Sequence, residues 1–253
     1  LRRTPLAERT SGDTPMPDQA NYVSLAVADG TAMRAYVARP TGSGPHRAML
    51  VLQEALGVNS QVRGVADRYA EQGYVAIAPE LFHRTNPGYE ASVIDMDQVM
   101  PLVRTLTTEG LTADATAAFN WLATQPGVNG ERIAAVGFCM GGRAAYLANA
   151  ALPLAAAISY YAGGLAGPLL DLAPSLHGPH LFLWGGQDKG IPAEQRSALA
   201  AALHAAGKRF VNVEFSDASH AFFNEQVDRY NRAAANQSWA LCQAFLNESM
   251  GDA

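Results

Sequence analysis

Short, continuously apolar runs alternate with stretches of helical spacing through most of this chain, and that alternation leaves few folds open. Ala48–Leu52, Tyr74–Ala78, Arg132–Val136, Ala155–Tyr160, His180–Trp184 and Arg209–Phe215 read as strands. Runs without polar alternation suit strands buried on both faces, the condition of a parallel sheet. Between them the spacing predicts helices over Val58–Gln72, closed by Gly73, and over Leu111–Thr124, with Thr112 as N-cap and Asp114 in its first turn. Further helices are predicted over Met140–Ala150, Glu194–Ala206 and Val227–Asn247. Upstream, Tyr22–Val27 alternates and meets Asp29-Gly30, a hairpin signal that pairs it with Met33–Ala38. The segment Leu81–Thr108 is the least regular, with Asn86-Pro87-Gly88 and a weakly helical Asp95–Leu106. The expectation is a single α/β domain: a mostly parallel central sheet covered by helices on both faces.

A chain of 253 residues suffices for one substantial core, and neither a Pro/Ser linker nor a repeat divides it. Residues 21–250 are therefore read as one domain behind an N-terminal arm, residues 1–20. The arm carries charges and prolines but lacks the apolar region of a secretory signal. No apolar run approaches the roughly 18 residues that span a membrane. A net charge of −5 without a Lys/Arg cluster gives no footprint for nucleic acid. Two cysteines make no disulfide framework, so a reducing cytoplasm is the expected compartment. Cys242 falls on the apolar stripe of the last helix and reads as a small buried hydrophobe.

In open α/β sheets ligands bind at the carboxyl ends of the strands. Cys139, Glu54, Asp188 and His220 all stand just after predicted strands. Gly137-Phe138-Cys139-Met140-Gly141 has the glycine-x-nucleophile-x-glycine spacing of a nucleophile elbow, with cysteine in place of serine. Such a turn strains the nucleophile's backbone and crowds both flanking positions, which suits glycine there. A helix opening at Met140 aims its amide dipoles at Cys139 and favours thiolate over thiol. The Met140 amide is one oxyanion donor, and the Ala55 amide, in the turn after Ala48–Leu52, is the expected second.

Gly185-Gly186-Gln187-Asp188 and Ser216–Phe222 supply an acid and a histidine in the chain order of hydrolases with this elbow. His220 would take the thiol proton and return it to a leaving group, and Asp188 would orient the imidazole. Asp217 and Asp171 are rivals for the acid role. Glu54 opens a loop that should approach the elbow, where a carboxylate would share the thiol proton or disfavour thiolate. His83 stands at a strand end, where it could line the pocket, while His46, His177 and His204 read as loop or helix-surface residues. No histidine pair has zinc spacing and no phosphate loop appears, so no cofactor is implied.

Together Gln53–Asn59, Ala78–Phe82, Gly137–Gly142, Gly185–Asp188 and His220-Ala221-Phe222 make the chain resemble the dienelactone hydrolase family of the α/β-hydrolase superfamily, from about Asn21 to Leu246. The resemblance implies an α/β-hydrolase fold and a Cys139–Asp188–His220 triad. It also implies that Glu54 pairs with the resting cysteine and moves when a substrate carboxylate arrives. Arginines hold that carboxylate in members that open dienelactones, compounds of aromatic degradation. Arg84 matches the first, but Asn224 stands where the second is expected, and the nearest later base is Arg229. Phe82, Tyr160, Tyr161 and Trp184 are candidate aromatic walls. The implied activity is carboxymethylenebutenolidase-like: opening a lactone or cleaving an activated ester, in a monomer or small homo-oligomer. A broad-specificity carboxylesterase or thioesterase is the alternative with the same machinery, and a catalytically idle interaction domain is the alternative of another class.

Overall fold

The structure, a computed structural model, describes residues 21–93 and 95–251. The arm expected over residues 1–20 lies outside them. Eight strands form one sheet: β1 (Tyr22–Ala26), β2 (Ala32–Ala38), β3 (His46–Leu52), β4 (Tyr74–Pro79), β5 (Val128–Phe138), β6 (Ala156–Tyr160), β7 (His180–Gly185) and β8 (Phe210–Phe215). Their order is β1-β2-β4-β3-β5-β6-β7-β8. The opening hairpin joins the sheet antiparallel, β2 lying beside β4. From β4 to β8 every pairing is parallel, as the apolar runs predict.

The helices are α1 (Ser60–Glu71), α2 (Met96–Arg104), α3 (Thr108–Ala123), α4 (Met140–Ala151), α5 (Ala193–Ala205) and α6 (Arg232–Met250). The two-residue period of the central strands divides the core in two. Met49 and Val51 face one way, onto Val62, Val65 and Tyr69 of α1 and Leu246 of α6. Ala48, Leu50 and Leu52 face the other way, onto Leu111 and Leu122 of α3 and Ala144 and Ala148 of α4. Both faces are thus covered, and the carboxyl ends of β3, β5, β7 and β8 open at one edge.

Two helix starts differ from expectation. Thr107, not Thr112, caps α3, accepting from the Gly110 amide. Asp114 therefore lies in mid-helix and fully buried, for a reason that appears at the site. Helix α6 begins at Arg232 behind an Asn231 cap, because Val227–Tyr230 is spent on turns. A 3₁₀ segment, Gly167–Ser175, was not legible from spacing; its Pro168 and Pro174 frustrate an α-helical ladder.

Beneath α4 runs a buried polar chain. The Ser159 hydroxyl donates to the Gly142 carbonyl at 2.7 Å, so its oxygen accepts from His180 Nε2 at 2.9 Å. Asn149 Nδ2 then donates to His180 Nδ1 at 3.2 Å. Each member has one compatible role, which fixes His180 as the neutral Nε2–H tautomer. Burial pushes its pKa down to about 3. The chain ties β6 and β7 to the first turn of the helix that carries Cys139.

Candidate active site

Cys139 sits between β5 and α4 with φ 55° and ψ −116°, a left-handed conformation that a side chain other than glycine's rarely adopts. The neighbouring glycines explain how the turn closes. A Cβ on Gly137 would strike the Gly141 carbonyl, and one on Gly141 would strike the carbonyls of Leu52 and Gln53 at the end of β3. The Cys139 amide donates to the Tyr160 carbonyl at 3.0 Å, which pins the turn to β6. Half-buried, the thiol heads α4.

Asp188 follows β7 and His220 follows β8, two adjacent parallel strands. The loops touch closely enough that a Cβ on Gly185 would lie 2.7 Å from the carbonyls of Ala218 and Ser219. His220 Nδ1 is 2.7 Å from Asp188 Oδ2, while the other Asp188 oxygen accepts from the Gly190 amide at 2.9 Å. The Cys139 thiol lies near enough to the same imidazole to influence its titration. Burial alone would lower the His220 pKa, but the bond to Asp188 and the proximity of Cys139, with their charges, outweigh it and raise the pKa to about 10. Burial works against Asp188 as well, and the His220 hydrogen bond and charge overcome it, holding the carboxyl below its usual range. Ala221, next in the chain, has φ 62°, so the histidine loop also carries local strain.

Neither the Met140 amide nor the Ala55 amide has a backbone acceptor among the described residues. Met140 is the first residue of α4 and Ala55 the third after Leu52, the last residue of β3. Both flank the elbow as expected, since Gly141 packs on the Leu52 and Gln53 carbonyls.

Glu54 is buried close to this centre, but with a partner other than the one expected. Its Oε1 accepts from Asn224 Nδ2, and no hydrogen bond joins it to the Cys139 thiol among the described residues. Desolvation lifts the Glu54 carboxyl to about 7, against the opposing pull of the Asn224 bond and the His220 charge. Asn224, 1% exposed, is spent on Glu54 and on the Gln226 amide, so it faces the machinery rather than a substrate.

Arg84 is the clearest correction. Its guanidinium grips Asp114 of α3 with two hydrogen bonds, 2.7 and 2.9 Å, and meets Asp29 at 2.6 Å. His83 adds Nε2 at 3.1 Å from the same Asp114. A buried carboxylate needs such partners, and they explain why Asp114 lies inside α3. Arg84 and His83 staple the loop after β4 to that helix and are not free to bind a substrate. Phe82 packs edge-on to Tyr89 within the α3-side core. Tyr160 stacks on Phe138 with its hydroxyl 3.2 Å from Cys242, and Trp184 bonds Asn212. All three are core residues, and both cysteines are free.

Tyr161 is closer to the chemistry than any of these. Its ring lies 5.1 Å from that of His220 and 5.3 Å from Phe222, φ is 37°, and its buried hydroxyl has no partner among the described residues. Of the four candidate aromatic walls, it alone packs against His220. Among the described residues no three of His, Cys, Asp and Glu gather as metal ligands, and no helix is long and apolar enough to cross a membrane.

The sequence model of the Dienelactone hydrolase family matches residues 33–250. A protein of Yersinia pestis named "Putative carboxymethylenebutenolidase" is 33% identical over 238 residues, covering 90% of this chain and 84% of its own. One of the same name from Escherichia coli (strain K12) is 34% identical over 248 residues, covering 94% and 86%. Among solved structures, a "Putative Dienelactone Hydrolase" of Klebsiella pneumoniae subsp. pneumoniae superposes with a TM-score of 0.82 at 30% identity, covering 90% of this chain and 98% of that one.

Proposed function

This chain belongs to the dienelactone hydrolase family, a family of ester and lactone hydrolases, and we propose that it works as a cysteine-dependent carboxylic ester hydrolase with Cys139 as nucleophile, His220 as acid and base, and Asp188 as its orienting partner. The observation that carries the proposal is the imidazole of His220, held by Asp188 on Nδ1 at 2.7 Å and close enough to the Cys139 thiol at the strained head of α4 for the sulfur to influence its titration.

The thiol gives its proton to His220, and the sulfur forms a bond to the carbonyl carbon. The carbonyl electrons move onto oxygen, where the Met140 and Ala55 amides receive them. Loss of one such donor typically costs about 3 kcal/mol of transition-state stabilisation. The oxyanion collapses, the bond to the leaving oxygen breaks, and His220 protonates that oxygen. In a lactone the leaving oxygen stays tethered, so this step opens the ring. Water then attacks the acyl-thioester with His220 as base, and the carbon–sulfur bond breaks to release the acid. Enol and aryl esters suit a thiolate, because a poor alkoxide would lose to expulsion of the sulfur itself. Glu54, neutral or charged depending on pH, sets a second carboxyl beside the imidazolium.

The test is burst release of a chromophore from an activated aryl acetate, with wild type and Cys139→Ala. Wild type should show a burst stoichiometric with enzyme and the variant none. Identical traces would remove Cys139 from the reaction. A role in the breakdown of aromatic compounds, with a carboxylate on the substrate, is part of the same proposal and rests on the family; a cytoplasmic location rests on the two free cysteines.

A further inference from the structure

Strand β8 ends the sheet and pairs with β7 in unbroken register from Phe210 to Phe215. Two bonds show how its backbone is turned. The His180 amide donates to the Arg209 carbonyl at 3.2 Å, and the Gly186 amide to the Phe215 carbonyl at 2.8 Å. Backbone groups alternate between the two edges of a strand, so Arg209, Val211, Val213 and Phe215 serve β7. The amides and carbonyls of Phe210, Asn212 and Glu214 then point off the sheet, and they have no partner among the described residues. Exposed edges are commonly guarded by a free charge, a proline or a bulge. Strand β8 has no proline and no bulge, and its one charge, Glu214, is drawn back by Arg196 of α5 at 2.8 Å. Val211, 37% exposed, is one of three large apolar side chains in solvent among the described residues. Ser197 and Ala200 of α5 line a groove of about 210 Å³ with Asn212 and Glu214, and side chains this small do not overhang the edge. The other edge strand, β1, adjoins residues 1–20, which lie outside the described range.

Charge decides what pairs there. Lys208 and Arg209 precede the strand, while Glu214 and Asp217 stand at its far end. Their present ties are light: Arg209 meets Glu248 in an exposed pair at 3.3 Å, and Asp217 accepts from Asn231 at 3.3 Å. A second copy running antiparallel sets the basic end of one strand on the acidic end of the other, whereas a parallel copy sets like on like. With a two-fold axis at Asn212, Phe210 lies opposite Glu214 of the partner subunit, and every outward amide and carbonyl of both copies finds a partner. Val211 then faces Val213 of the partner subunit. Lys208 lies diagonal to Glu214 of the partner subunit, and Arg209 to Asp217 of the partner subunit. We propose that β8 is a self-association edge, along which two copies of this chain join antiparallel about Asn212 into one continuous sheet. The pairing is independent of the hydrolase reading.

Sedimentation equilibrium of the full chain over about 1–100 µM should show a species of twice the chain mass that dissociates on dilution. Wild type that stays monomeric throughout overturns the proposal. Val211→Lys puts a free charge on the edge, and Asn212→Pro removes an outward amide that β7 does not use. Each should weaken the dimer by roughly tenfold or more; a dimer that persists in both overturns the edge assignment. Lys208→Glu/Arg209→Glu sets acid on acid and should weaken association by roughly three- to tenfold, since each exposed pair contributes a few-fold at most. Unchanged or tighter association overturns the antiparallel orientation. Amide hydrogen exchange of wild type, read by NMR, depends on no variant folding. The Phe210, Asn212 and Glu214 amides should be protected in the dimer and exchange freely on dilution, while those of Val211, Val213 and Phe215 stay protected in both. Outward amides that exchange equally fast in the dimer and in the monomer place the interface elsewhere and overturn the proposal.

Discussion

Replacing Glu54 by glutamine should change how stability depends on pH, and the size of the change follows from burial. The carboxyl is raised from 4.5 to about 7, first by desolvation, with the Asn224 bond and the His220 charge opposing. Between those two values the folded protein holds a proton that the unfolded chain has released. Stability from this group is therefore full below about pH 4.5 and is lost as pH rises toward 7. Integrated from pH 5 to pH 8, the loss is on the order of 2–3 kcal/mol. Glutamine keeps an oxygen for Asn224 Nδ2 and does not ionise, so Glu54→Gln escapes the loss. At two to four degrees per kcal/mol in a chain of this size, the Tm of the variant relative to wild type should rise by roughly 5–10 °C between pH 5 and pH 8. Any constant effect of the substitution cancels in that difference, as do groups that titrate alike in both proteins. The assay is thermal unfolding followed by circular dichroism at a series of pH values. A Tm gap that stays the same at pH 5 and pH 8 would refute the assignment of a strained, desolvated carboxyl at position 54.

Asp188→Asn should bring the His220 pKa down from about 10 toward the ordinary histidine range, since it removes the largest of the raising influences; the imidazole ¹⁵N shifts titrated against pH read this directly, and kcat should fall by roughly 10³-fold or more. Arg84→Gln leaves the buried Asp114 with His83 as its remaining partner, so urea unfolding should show a loss of about 3 kcal/mol, while the KM for an anionic ester changes less than twofold. A large rise in KM with little loss of stability would return Arg84 to the substrate. Tyr161→Phe removes a buried hydroxyl without a partner and should raise stability by about 1 kcal/mol; a fall in Tm would mean that the hydroxyl has a bond in solution.

What the sequence made legible and what it hid divide along a physical line. Apolar runs specify parallel strands, and glycines at fixed offsets specify a tight turn, because both are local. Chain order then places Cys139, Asp188 and His220 at the same edge of the parallel sheet, after β5, β7 and β8, and the fold brings Asp188 and His220 to bonding distance. Pairings between distant side chains leave no such trace. Nothing near Arg84 announces that Asp114, thirty residues on, is buried and needs two cationic or donor partners. Nothing near Glu54 points to Asn224, 170 residues away. The start of α3 is a local ambiguity instead: Thr107 and Thr112 are equally good caps in isolation, and in the fold Thr107 takes the Gly110 amide while the Thr112 hydroxyl donates to the Thr108 carbonyl inside the helix.

The chain from Asn149 through His180 to Ser159 has a use in the laboratory. With both ring nitrogens held in fixed and opposite roles and the pKa pushed down to about 3, His180 contributes a resonance pair that stays still through neutral and alkaline solution. Through Ser159 it is linked to the Gly142 carbonyl in the first turn of the helix that Cys139 heads. A spectroscopist following the imidazoles through a pH series thus has an internal standard inside the same domain. Movement of its signals without movement of His220's would report repacking of the elbow rather than a change of protonation.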